Sequence, residues 1–181
     1  MKKSQYINIL VISLLLLLTA CDGNTPLMEA SINGENDKIS TMLESGIDVN
    51  ERNNYDWTPL MHAARNGRLE TVNLLIARGA DVNAHDTAGW TALIRAAQKG
   101  HVETVSTLLD EGADINAVTK KGWSALMWAT LQEETETAAL LIERNANFNI
   151  KAVDGRTALM ISITENNNDV MLILQKAGAR P

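Results

Sequence analysis

Leucine recurs at Leu27, Leu60, Leu93, Leu126 and Leu159, each 33 residues after the one before. Two positions earlier stand Thr25, Thr58, Thr91, Ser124 and Thr157; three positions later stand Ala30, Ala63, Ala96, Ala129 and then Ser162. Further along each period come Gly46, Gly79, Gly112, Asn145 and Gly178, followed by Asp48, Asp81, Asp114 and Asn147, and then Asn50, Asn83, Asn116 and Asn149. Copies in fixed register, with nothing inserted or removed, mark stacked supersecondary units. Within a period the apolar spacing is helical. Thr or Ser caps a first helix, with Pro26 and Pro59 at the first helical position, where a missing N–H costs nothing. Gly34, Gly67 and Gly100 permit the left-handed turn that ends it. A second helix buries Ile39, Val72, Val105, Ala138 and Met171, then Met42, Leu75, Leu108, Leu141 and Leu174, and stops at the Gly46 column. Asp-Val-Asn or Asp-Ile-Asn and a glycine-bearing turn lead back to the next cap. The pattern predicts an all-α solenoid of five helix-turn-helix units linked by β-hairpin-like loops. The units span 25–57, 58–90, 91–123, 124–156 and 157–181 and form one domain over 25–181.

Thr58-Pro59-Leu60-Met61-His62-Ala63-Ala64, with Gly79-Ala80-Asp81-Val82-Asn83-Ala84, closely resembles the ankyrin repeat, and the resemblance runs from Asn24 to Pro181. It implies a protein-binding module whose hairpin tips and first helices form a concave face. There are departures. The family's usual His in the opening motif is Met28, Met61, Ile94, Met127 or Met160 here, an apolar filler in place of a hydrogen-bonding ring. Glu133 and Asn166 replace the interhelical glycine, and Asn145 replaces the terminal one. Asn tolerates a left-handed turn, whereas Glu costs roughly 1 kcal/mol there. The fourth and fifth units are therefore the less ideal end.

The first residues are unlike the rest. Lys2 and Lys3 precede a nearly unbroken apolar run from Ile7 to Ala20, about 14 residues, too short for a helix to cross a ~30 Å hydrocarbon core. A basic start, a short apolar run and small residues before a break read as an export signal over 1–20. Leu18-Thr19-Ala20-Cys21 resembles the lipobox of bacterial lipoproteins. That implies acylation of Cys21, a short linker over 21–24 and a lipid-anchored periplasmic address. Asp22 resembles an inner-membrane retention signal, with the outer membrane left open.

Composition narrows the function. The net charge is −6, and losing 1–20 removes Lys2 and Lys3 and no acid, leaving −8. Such acidity argues against nucleic acid as a partner. One cysteine forms no intramolecular disulfide and no thiolate metal cluster. No metal-ligand spacing, phosphate loop or nucleophile elbow stands in the chain, so no catalytic residue, metal or cofactor is assigned. The carboxylates Asp37, Glu70, Glu103, Glu136 and Asp169 lie near the start of each second helix, where acids offset the helix dipole. His101, just after an interhelical glycine, reads as structural.

Of the seven aromatic residues four are Trp. Trp57, Trp90 and Trp123 each directly precede a cap, and Arg156 takes that place last. The resemblance puts them at the concave side, where they either stack along the hairpins or meet a partner, or do both. Positions four, seven and eight after the cap share one helix face. They hold His62, Arg65 and Asn66; Arg95, Gln98 and Lys99; and Trp128, Leu131 and Gln132. Tyr55, Lys120, Lys121 and Lys151 in the loops complete a basic, aromatic candidate surface on an acidic protein. The neighbouring acids are Glu29, Asp86, Asp154 and Glu165.

The expectation is a non-catalytic module, monomeric when unbound, that holds a protein with an acidic surface. Some bacterial ankyrin lipoproteins resemble immunity proteins against secreted toxins such as lipases. Others are associated with catalase and peroxide resistance. An uncharacterised hydrolase is the alternative from another class. The anchor is directly testable. Cys21→Ser should block processing and leave the full precursor, with no incorporation of a fatty-acid label; equal labelling of both proteins would refute acylation at Cys21.

Overall fold

The computed structural model describes residues 23–180. The apolar leader, Cys21 and Asp22 lie outside the described residues. Within them the helices alternate between a short inner and a longer outer element: α1 (Pro26–Asn33) and α2 (Asn36–Glu44), α3 (Pro59–Arg65) and α4 (Leu69–Ala77), α5 (Ala92–Gln98) and α6 (Val102–Asp110), α7 (Ala125–Leu131) and α8 (Thr135–Glu143), α9 (Ala158–Thr164) and α10 (Asn168–Lys176). No strand forms among the described residues; isolated antiparallel bridges at His85–Thr91 and Val118–Ser124 close two hairpins at their base.

The caps set each inner helix in place. Thr25, Thr58, Thr91, Ser124 and Thr157 are extended, and each hydroxyl accepts the N–H three residues on, from Met28, Met61, Ile94, Met127 and Met160, at 3.3 Å. Pro26 and Pro59 occupy the first turn, as their geometry favours. The inner helices stack on one another, as do the outer ones, and every inner helix packs on its own outer partner. The leucine column from Leu27 to Leu159 is buried throughout, as are Met28, Met61, Ile94 and Met127. In the outer row Ile39, Val72, Val105 and Ala138 are buried, while Met42 and Met171 are half-buried and Val170 takes the inward place in α10.

Side chains also tie each pair to the one before. Arg68 donates to the Ile32 carbonyl at 2.9 Å, His101 Nε2 to the Arg65 carbonyl at 3.1 Å, and Asn167 to the Thr130 carbonyl at 3.2 Å. His101 is thus a cross-link between pairs. Asn50 and Asn83 each bridge to the next loop, donating to Gly79 and Gly112 carbonyls and accepting from Asp81 and Asp114 N–H groups. At the tips the backbone bonds from finger to finger: Thr87 N–H to Tyr55 at 3.0 Å, Lys120 N–H to Ala88 at 2.9 Å and Val153 N–H to Lys121 at 2.9 Å. Gly89 and Gly122 make this approach possible. Their φ angles are 82° and 75°, and a Cβ there would meet the next finger's backbone at 2.9–3.0 Å.

The left-handed turn between helices is kept even without glycine, with φ of 60° at Glu133 and 56° at Asn166, and Asn145 follows α8 at 65°. Asp56, at a hairpin tip, is a further left-handed residue, at φ 61°. In an array held by nearest neighbours the weaker units open first. Amide exchange should therefore be faster from Ser124 onward than over Thr58–Asn116. Glu133→Gly should slow it and raise stability by about 1 kcal/mol, the cost of a Cβ in this turn. Uniform protection would show that packing compensates the substitution.

Candidate protein-binding surface

The residue four places before each hairpin tryptophan fixes its backbone. Asn53 Oδ1 accepts the Trp57 N–H at 3.0 Å, Asp86 Oδ1 the Trp90 N–H at 2.9 Å, and Thr119 Oγ1 the Trp123 N–H at 3.2 Å. With the backbones fixed, the rings line up with side chains from the inner helices. Arg95 on α5 lies between two rings, its Cζ 4.0 Å from the Trp57 centroid and 3.9 Å from that of Trp90. Trp128 on α7 lies between the next two, 4.6 Å from Trp90 and 4.8 Å from Trp123. Arg65 stands 5.7 Å above Trp57 at one end and Arg156 4.9 Å above Trp123 at the other. The result is one continuous stack across the concave side: Arg65, Trp57, Arg95, Trp90, Trp128, Trp123, Arg156. Each cation–π step contributes about 0.5–2 kcal/mol, more where water is excluded.

The charges near the face differ in their partners. Asp86 is 3% exposed and accepts from Ala88 and Trp90 N–H groups through Oδ1 and from Arg95 Nη2, at 2.7 Å, through Oδ2. Burial lowers the Arg95 pKa from its ordinary value, and the hydrogen bond and charge of Asp86 oppose that shift. Asp154 binds Arg156 at 2.8–2.9 Å. Two acids near the face are therefore neutralised within the chain. Arg65, Lys99, Lys120, Lys121 and Lys151 remain exposed. Beside the fourth pair the fingers and inner helices enclose an open groove of about 830 Å³, floored by Trp90, Trp123 and Trp128.

The pattern of Ankyrin repeats (3 copies) matches the chain over residues 4–86, 52–119 and 93–181. The chain belongs to the ankyrin-repeat family. No curated protein matches it. Ankyrin repeats are protein–protein interaction modules, typically without catalytic activity of their own, so the concave surface of this ankyrin-repeat protein is the place to look for a partner. Among the described residues no group of three or more His, Cys, Asp or Glu is placed to hold a metal, and no helix is long and apolar enough to cross a membrane.

The thirteen candidate residues of the surface do not play one part. Tyr55, Arg65, Lys99, Lys120, Lys121 and Lys151 are exposed, and Trp57, Trp90, Arg95, Trp128 and Arg156 are half-buried in the stack. Trp123 is 6% exposed and His62 7%, so both are interior supports. Trp123 and His62 are covered and Arg95 already bonds Asp86, so these three stand behind the exposed members of the surface. Val153, outside the candidate set, projects at the fourth finger's tip beside the groove. Its signal was in the tip column Asn54, Thr87, Lys120, Val153, where one apolar residue follows three polar ones.

His62 rests on Trp57 at 4.7 Å, and its Nε2 is buried without a partner. Burial, with smaller contributions from Arg65 and Arg95, lowers its pKa from 6.5 to about 4. A folded-state pKa below the unfolded one stabilises the fold above pH 6.5, and that contribution is lost as pH falls toward 4. The full shift corresponds to about 3 kcal/mol. His62→Leu should therefore flatten the acid limb of stability, measured by denaturant unfolding between these pH values. An unchanged limb would show that other groups govern acid unfolding.

Proposed function

We propose that this chain is a five-unit ankyrin module, exported, anchored through a lipidated Cys21 at the periplasmic face of a membrane, and built to hold an acidic protein on its concave face. Asp22 favours the inner membrane. One observation carries the partner's chemistry: the nearby acids Asp86 and Asp154 are bound to Arg95 and Arg156, while Lys120 and Lys121 stay exposed beside the aromatic floor and Arg65 stays exposed over Trp57. The acidity of the chain as a whole makes this local excess of positive charge more selective, because the rest of its surface repels the same partner. A non-catalytic, tethered binder of this kind suits an immunity protein that covers the working surface of a secreted toxin such as a lipase.

Affinity purification of the tagged protein from solubilised membranes, followed by mass spectrometry, names the partner. Its surface should be acidic, and Lys120→Glu with Lys121→Glu should weaken binding roughly tenfold at low salt and much less at high salt, mainly by slowing association. A basic partner, or an affinity indifferent to both salt and charge reversal, would overturn the reading.

A further inference from the structure

The internal repetition supplies its own comparison, because equivalent positions in the second and third helix pairs show what the fold itself requires. Four places after the cap those pairs carry His62 and Arg95; the fourth carries Trp128. Seven places after the cap they carry Arg65 and Gln98; the fourth carries Leu131. At the finger tips Asn54, Thr87 and Lys120 give way to Val153. Relative to the second and third pairs three positions thus turn apolar, the end pairs carrying Ile32 and Ile161 in two of these columns, and Trp128, Leu131 and Val153 border the same groove.

The core does not explain this change. Val153 is 81% exposed, and its backbone N–H, not its side chain, makes the bond to the neighbouring finger. Leu131 is half-buried at the end of α7, where the second pair's Arg65 is exposed without harm to the stack. A single exposed apolar residue is ordinary, but three that converge on one concavity mark a surface for something outside the chain. Above them stand Lys120 and Lys121, both exposed and in no ion pair among the described residues.

We propose that this groove takes an extended acidic segment of a partner protein, seating one large apolar side chain over Trp128, Leu131 and Val153 and setting its flanking carboxylates against Lys120 and Lys121. The proposal rests on the acidic-partner reading and narrows it to one segment and one anchor. An apolar side chain in a pocket of this kind is desolvated by rings already held rigid, so little ordering of the protein opposes binding. The lysines fix the direction of the segment and hasten its arrival. An extended peptide fits better than a lipid, because the groove is open to solvent and would leave much of an acyl chain in water.

Selection of a displayed random-peptide library on the immobilised full chain tests this. Enriched peptides should carry a large apolar residue next to Asp or Glu. With one such peptide, Val153→Ser combined with Leu131→Ser should lower affinity roughly tenfold or more at every salt concentration, leaving the salt dependence unchanged. Lys120→Glu with Lys121→Glu should instead act most at low salt. Val153→Ser alone, at an exposed tip, reads the anchor without risk to the fold, and thermal melting of each variant checks that. If lysine reversal weakens binding and Val153→Ser does not, the anchor is refuted while the acidic-partner reading stands. Failure of both sets of variants refutes both. Absence of any enriched acidic peptide, or displacement of the peptide by oleate that itself binds as tightly, also overturns the proposal.

Discussion

No residue is inserted or lost between Thr25 and Thr157, and the architecture depends on that strict register. Because the first four units have one length, each cap, each tip carbonyl and each bridging Asn meets its counterpart one period away. The finger-to-finger bonds from Tyr55, Ala88 and Lys121 carbonyls all use equivalent atoms. A one-residue change in a single finger would move its backbone by up to about 3.5 Å and break the bonds on both sides. Register thus does for this open array what a shared core does for a globular domain.

The stack of rings and guanidinium groups uses that register for a second purpose. It joins fingers to inner helices, alongside the Arg95–Asp86 bond and the finger residues Ala84 and Ala152 that enter the core. Its components come from non-equivalent places in successive units, with a helix side chain inserted between two finger rings. Arg95 serves this role in the third pair and Trp128 in the fourth. The exchange of a cation for an indole changes the local surface from polar to apolar while the stack stays continuous, at 3.9–4.0 Å around Arg95 and 4.6–4.8 Å around Trp128. Asp86 belongs to the same arrangement, since a guanidinium held between rings and away from water needs a carboxylate beside it.

The fold was largely legible because its signals repeat. Caps, left-handed turns and the leucine column each occur once per period, so a reading made at Thr58 applies at Thr91 and Ser124. Even the departures at Glu133, Asn145 and Asn166 keep the backbone of the glycines they replace. The binding surface was less legible, since it arises between columns. Reading Trp57, Trp90 and Trp123 as one column and His62, Arg95 and Trp128 as another gives no sign that members of the second slide between members of the first. Burial of Trp123 and internal pairing of Arg95 follow from that interleaving. Asp86 reads as an acid near a basic patch until its three hydrogen bonds place it beneath the surface.

The bonds along the finger tips have a mechanical consequence. Inner helices pack on one another more extensively than outer ones do, and the fingers add their hydrogen bonds and ring stack on the same side. Stiffness is therefore greater along one edge of the array, and the opposite edge, tied by side-chain bonds such as Arg144–Asp110 and Thr71–Asn36, is the more compliant. A load on this molecule would flex it about an axis near the fingers, with the outer helices spreading or closing like the pages of a book whose spine is the concave side. The curvature of the array could change by many small displacements at its back while the aromatic row at the spine kept its spacing.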